Sequence, residues 1–163
     1  MEIIQITRFS IEHLRNETDF FLQYCQLRIQ LWPQLEDECE REAVDILADP
    51  QRWGVFLARL NAGAAIGFLE IRLRDCAEGA SMSPVPFIEG WFVVPEERKR
   101  GVGKALIQAA ESWAASRGYT EIASDTQIDN AVSIAAHKSL GYEEVERLVC
   151  FIKQLQIRAK PVS

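Results

Sequence analysis

The sequence predicts an α/β fold in which a mixed, mostly antiparallel central sheet is flanked by helices. Three observations predict it. Two apolar runs, 53–60 and 65–72, are joined by the turn residues Asn61-Ala62-Gly63; a third run, Phe87 to Val94, leads directly into an amphipathic helical stripe; and a strand pattern followed by a helix pattern recurs over 119–140. The chain has 163 residues, 48% hydrophobic and 26% charged, enough for one domain with a core and too few for two. We expect residues 1–155 to form that single domain and 156–163 to be a flexible C-terminal tail.

In chain order, Ile4 and Ile6 alternate with polar residues as in a short edge strand. Phe20, Tyr24, Leu27 and Leu31 recur at helical spacing, and this helix should end near Trp32-Pro33. Leu35, Cys39, Ala43, Ile46 and Leu47 form the apolar stripe of a second helix, stopped by Asp49-Pro50, whose acidic face from Glu36 to Asp45 reads as a solvated surface outside any site. The two runs around Asn61 form a β-hairpin. Asp75 to Pro86, rich in small residues, glycine and proline, is a loop before the third run. Val102, Ala105, Leu106, Ala109, Ala110 and Trp113 follow the helical repeat, and Gly118 is placed to end that helix. A strand over Tyr119–Ser124, a helix over Asn130–Leu140 closed by Gly141 and a final strand over Val145–Lys153 complete the order β-α-α-β-β-β-α-β-α-β.

Charge and composition exclude several classes. A net charge of −6 disfavours nucleic acid, whose affinity comes from clustered Lys and Arg, and suits a cationic substrate. No apolar run approaches the roughly 20 residues that span a bilayer, and the chain opens without a signal-peptide pattern, so we expect a cytoplasmic protein with no membrane partner. The four cysteines lack a Cys-x-x-Cys pair and the histidines are His13 and His137 alone, which leaves no metal-ligand spacing and no metal expected.

The chemistry concentrates between the third run and the strong helix. Arg98, Lys99, Arg100, Gly101, Val102, Gly103 and Lys104 combine glycines, which let the backbone turn tightly and aim N–H groups at an anion, with the positive end of a helix. A Walker A loop would need Gly at Arg98 and Ser or Thr at Ala105, and a dinucleotide fingerprint lacks its third glycine at Leu106. The segment Val93-Val94-Pro95-Glu96-Glu97-Arg98-Lys99-Arg100-Gly101-Val102-Gly103 instead resembles the acetyl-CoA pyrophosphate motif of the GNAT superfamily, and Asn130 to Tyr142 resembles the Asn-helix-Gly-Phe segment of the same superfamily. Within it, Ser83-Pro84-Val85, Phe87-Ile88-Glu89-Gly90, Ala123-Ser124-Asp125, the segment His137 to Gly141, the acidic stretch Glu143 to Arg147 and Leu27-Arg28-x-x-Leu31-Trp32-Pro33 resemble aminoglycoside 6′-N-acetyltransferases, over about two thirds of the chain.

That resemblance implies a GNAT fold and an acetyl-CoA-dependent N-acetyltransferase that modifies the 6′-amine of aminoglycosides, a resistance activity, with acetyl-CoA as co-substrate, no metal, and a homodimer as assembly. It implies that Trp32, Glu89, Asp125 and Glu146 contact the cationic aminoglycoside; that Trp91, Phe92, Val93, Asn130 and His137 contact CoA; and that the turn from Arg98 to Lys104 holds its pyrophosphate. Asp125 is the candidate proton acceptor for the attacking ammonium. A carboxylate of ordinary pKa, near 3.9, is a poor base, so it must be desolvated or must mainly position an amine whose own pKa the site lowers. Backbone N–H groups of 91–93 are candidates for the thioester oxygen or the pantetheine amide. His137, where many GNAT enzymes carry a tyrosine, either meets CoA and the departing thiolate or is a packed histidine. The family's Arg-x-x-Tyr-Val-x-Gly stretch is here Arg72-Leu73-Arg74-Asp75-Cys76-Ala77-Glu78-Gly79. Two alternatives stay open: a GNAT enzyme acting on a polyamine, peptide N-terminus or small metabolite, and a non-catalytic acetyl-CoA-binding module.

Overall fold

The structure, a computed structural model, describes residues 3–16, 18–61 and 63–155. A five-stranded sheet runs in the order β1 (Ile4–Phe9), β2 (Trp53–Leu60), β3 (Ala65–Arg74), β4 (Val85–Val93), β5 (Ala123–Ser124). The first three pairings are antiparallel and the last is parallel, the mixed sheet that the sequence predicts. The helices α1 (Ile11–Asn16), α2 (Thr18–Leu31) and α3 (Cys39–Ala48) pack on one face, where Tyr24, Phe68, Ala43 and Leu57 are buried. On the opposite face α4 (Val102–Ser116) inserts Val102, Leu106, Ala110 and Trp113 against Leu69, Ile71 and Ile88. Alternate residues of β3 thus enter different cores, which a strand covered on both faces requires. α5 (Ala131–Ser139) follows β5.

The expected elements differ from the observed ones at three places. A short helix, α1, precedes α2, and Leu35 sits in a 3-10 turn (Pro33–Leu35) rather than at the start of α3. The strand expected over Tyr119–Ser124 shortens to Ala123–Ser124, since Tyr119 and Ile122 turn onto the α4 core instead of alternating across a sheet. The strand expected over Val145–Lys153 does not form: residues 143–155 have no regular structure, and Val149, Phe151 and Ile152 are 77%, 93% and 91% exposed. A strand exists only through its pairing, and this segment pairs with none of the five strands. The tail 156–163 lies outside the described residues.

One irregularity positions the site. Glu70 opposes Gly90 and Ile71 opposes Ile88, so Glu89 is the extra residue of a β-bulge in β4. Beyond it, β4 keeps β3 on one side, but its pairing with β5 stops at Ile88–Ser124. The half-strand Glu89–Val93 therefore has one open edge.

Candidate active site

The anion turn takes the form its residues dictate. β4 ends in a 3-10 turn, Pro95–Glu97, after which Lys99 and Gly101 adopt positive φ of 62° and 86° and α4 begins at Val102. At Gly101 a side chain would be strained, and the left-handed turn leaves the first N–H groups of α4 without carbonyl partners from a preceding turn. Gly103 answers a different need. A Cβ there would lie 3.0 Å from the Trp91 ring, so the bare glycine lets the indole slide under the first turn of the helix. Arg98 does not reach out from this turn: its Nε donates to Val93 O at 2.9 Å and its guanidinium lies 5.7 Å from the centre of the Phe92 ring, tying the turn to the end of β4. Arg100 pairs with Glu97, while Lys99 and Lys104 are exposed basic groups at the turn.

At the other end of the half-strand lies a cleft of about 670 Å³. Trp32, Leu35 and Trp53 form its apolar walls, Arg72 and Glu89 its floor beside Glu70, and Glu42, Asp45 and Asp49 one polar side. Trp32 is locked in place: it packs edge-on against Phe68 at 5.9 Å, the Arg28 guanidinium lies 5.4 Å from its ring, and a Cβ on Gly90 would come within 2.3 Å of it. Arg28 is itself buried and is held by Glu70 (Nε to Oε1, 2.7 Å) and Glu42 (Nη2 to Oε2, 3.2 Å), while the Tyr24 hydroxyl donates to Glu70 at 2.5 Å. Burial pushes the Glu70 carboxyl upward while Arg28 and Tyr24 pull against it, and burial together with Glu70 pushes the Tyr24 hydroxyl up. The acidic face of α3, expected to lie outside the site, is corrected here, since Glu42 and Asp45 line the cleft. Their spacing with Asp49, three and then four residues, is one helical face, and that signal was present in the sequence.

Glu89 reaches this cleft with both oxygens engaged. Arg74 donates Nε to Oε1 at 2.7 Å and Nη2 to Oε2 at 2.5 Å. Arg72 Nε also lies 2.7 Å from Oε1, but off the N–H direction, so it supplies charge rather than a hydrogen bond. Asp125 follows the last residue of β5, is exposed, and does not line the cleft; its charge, like that of Glu89, acts on the Arg74 guanidinium. Glu146 lies in the exposed segment 143–155 and does not line the cleft either.

The geometry around His137 defines its tautomer. Nδ1 lies 2.8 Å from the Ser133 carbonyl, which can only accept, so Nδ1 carries the hydrogen of the neutral ring and Nε2 accepts from the Ser124 hydroxyl at 2.9 Å. The ring stands edge-on to Trp91 and Tyr142 at 5.2 and 5.4 Å. Of the two readings of His137, this arrangement favours a packed residue that pins Ser124, next to Asp125, onto α5. Asn130 likewise has a local task, its Oδ1 accepting from Ser133 N at 3.0 Å as the N-cap of α5. The loop 75–84 is tied down by Glu121, which accepts from Ser81 N, Ser81 Oγ and Met82 N. Among the described residues there is no group of three or more His, Cys, Asp or Glu arranged to hold a metal ion, and no helix long and apolar enough to cross a membrane.

A bulged strand that loses its neighbour halfway along runs into a basic glycine turn at a helix N-terminus, the arrangement expected from the resemblance to N-acetyltransferases that use acetyl-CoA. The comparisons agree. Residues 12–142 match the model of the acetyltransferase (GNAT) family. The chain is 42% identical to the aminoglycoside N(6′)-acetyltransferase type 1 of Stenotrophomonas maltophilia, over 82% of this chain and 86% of that one, and 37% identical to that of Salmonella typhimurium, over 94% and 99%. Among solved structures it resembles AAC(6′)-Iy in complex with the bisubstrate analogue CoA-S-monomethyl-acetylneamine, with a TM-score of 0.83 at 35% identity over 94% of this chain and 99% of that one. It also resembles the aminoglycoside 6′-N-acetyltransferase AAC(6′)-Ih of Acinetobacter baumannii, with a TM-score of 0.81 at 35% identity over 94% and 100%. The chain belongs to the GNAT acetyltransferase family.

Proposed function

We infer that the protein transfers the acetyl group of acetyl-CoA to the 6′-amine of aminoglycosides by direct attack of the amine, and that it acts as a resistance enzyme in the cytoplasm, where acetyl-CoA is found. The observation that carries this is the half-strand Glu89–Val93, which joins an anion-binding turn at one end to a carboxylate-lined cleft at the other. A polyphosphate and a polycation are thereby led to opposite ends of one open backbone edge. Trp32 and Trp53 offer flat apolar walls to a sugar ring, and Glu42, Asp45 and Glu89 offer charge to its ammonium groups.

In this assignment the turn from Lys99 to Lys104 receives the pyrophosphate, helped by the N-terminus of α4, and the open edge at Trp91, Phe92 and Val93 receives the pantetheine arm and the thioester oxygen. The ammonium must lose a proton before its lone pair can attack the thioester carbon. Asp125 holds it and takes the proton, directly or through water. Nitrogen then bonds to the acetyl carbon, the C–S bond breaks, and the second proton shed by nitrogen neutralises the departing thiolate, which leaves as the thiol of CoA. No acyl-enzyme is needed.

The assembly we propose is a homodimer in which residues 143–155 are covered by a second copy. The segment carries the apolar run Leu148 to Ile152, these side chains are exposed, and β5 has an open outer edge. Glu146 contributes to substrate binding once that segment is docked. The deciding experiment mixes purified protein and acetyl-CoA with 6′-amino aminoglycosides, their 6′-hydroxyl counterparts, spermidine and a peptide amine, and follows CoA release. Turnover confined to the 6′-amino compounds is expected. Turnover only with spermidine or the peptide would leave the family standing and remove the aminoglycoside assignment, and no turnover with any amine would favour a binding module.

A further inference from the structure

The substrate assignment above gives Glu89 and Asp125 the task of holding a cationic acceptor, and both already face a cation of the chain itself. Arg74 ends β3, where it pairs with Val85, and its guanidinium lies 3.5 Å from the centre of the Phe87 ring. From there it donates two hydrogen bonds to Glu89 in the parallel fork that guanidinium and carboxylate favour. Those hydrogen bonds, followed by the charges of Glu89, Asp125 and Glu78, hold its proton more tightly than usual. Arg72 is different in kind: it lies 5.2 Å from the centre of the Trp53 ring and belongs to the cleft floor.

An ammonium that binds Glu89 therefore competes with Arg74 for the charge of the same two oxygens. The Arg74 side chain is 31% exposed, so solvent screens the pair in part, and the Phe87 ring and the charges of Glu78 and Asp125 still attract the guanidinium when Glu89 is shared. A polycation, held at the same time by the carboxylates of α3, competes well for Glu89, while an amine bearing a single charge competes poorly. We propose that Arg74 is a specificity-determining residue, an internal cation on Glu89 that only a multiply charged acceptor displaces efficiently. It lies beside the stretch Asp75-Cys76-Ala77, where this chain lacks the tyrosine and valine of the Arg-x-x-Tyr-Val-x-Gly pattern.

The test uses the full-length protein and its Arg74→Gln and Arg74→Lys variants, with two acceptors: a 6′-amino aminoglycoside and 6-amino-6-deoxyglucose, which carries one amine. The quantity read is the ratio of their kcat/KM values, with KM for acetyl-CoA and the melting temperature measured alongside. In Arg74→Gln the KM of the single-amine sugar should fall and the ratio should narrow about five-fold, the usual limit for a solvent-screened pair, with KM for acetyl-CoA unchanged. Arg74→Lys, which keeps the charge and loses the fork, should fall between. An unchanged ratio in both variants, or a rise in KM for both acceptors in Arg74→Gln, would make Arg74 a brace for Glu89 and overturn the proposal. A wild-type protein inert toward every 6′-amino compound would instead sink the substrate assignment itself, together with what is built on it.

Discussion

At the scale of single residues, the candidate site divides into groups that face the substrates and groups that hold them in place. The proposed function puts Asp125 in the first: it is exposed just after β5, and its charge acts on Arg74. Asp125→Asn, which keeps the shape and removes the base, should lower kcat/KM for the aminoglycoside at least about a hundredfold, the low end for lost general-base catalysis, with acetyl-CoA binding unchanged by calorimetry. His137 belongs to the second. If it serves by holding Ser124, then Ser124→Ala and His137→Ala should each slow turnover by a similar factor, and the double variant should be no slower than either. A double variant whose losses multiply would restore a separate role for the imidazole. The basic turn was legible in the sequence because glycine and proline carry local signals, whereas Glu89, Asp125 and Glu146 were reached only through the family resemblance. Arg74 was not, since its importance lies in a bond to a residue on a neighbouring strand, and Arg98, legible as a basic group, proved to bond backward to Val93.

Elements were legible where burial follows one period. The α4 stripe and the β2–β3 hairpin fall where the sequence puts them, because each packs one continuous face on a core. β5 fails that condition: two pairs with β4 are all it forms, and the apolar residues before it fold onto α4. The bulge at Glu89 was also hidden, because one extra residue in a strand changes no composition. Its structural companion is the contact between Trp32 and Gly90, which fixes the cleft wall to the bulge. Gly90→Ala would drive a methyl group into the indole, so we expect a stability loss of about 1–3 kcal/mol by chemical denaturation and a raised aminoglycoside KM, with KM for acetyl-CoA nearly constant. Equal changes in both KM values would show that the bulge, rather than the wall, had moved.

For the whole molecule, the informative region is the one that the sequence predicts as a strand and the single chain leaves uncovered. Val149, Phe151 and Ile152 form an exposed apolar segment, the kind of patch that the proposed second copy would cover. Sedimentation should give twice the chain mass of 18.5 kDa, and Phe151→Asp should shift the protein toward the monomer at micromolar concentration. A monomeric wild-type protein would exclude the second copy as the cover. The apolar run was readable and its pairing was not, since one sequence says nothing about whose edge a strand will meet. The parting of β4 from β5 has a consequence of its own. Unpaired strand backbone is ordinarily a hazard, because it templates association with any other extended chain. Here that hazard cannot be removed by mutation without removing the place where pantetheine is assigned, so the small molecule is also the guard of the edge. The protein should be most prone to precipitate when its acyl donor is scarce, and cells rich in acetyl-CoA should keep more of it in solution.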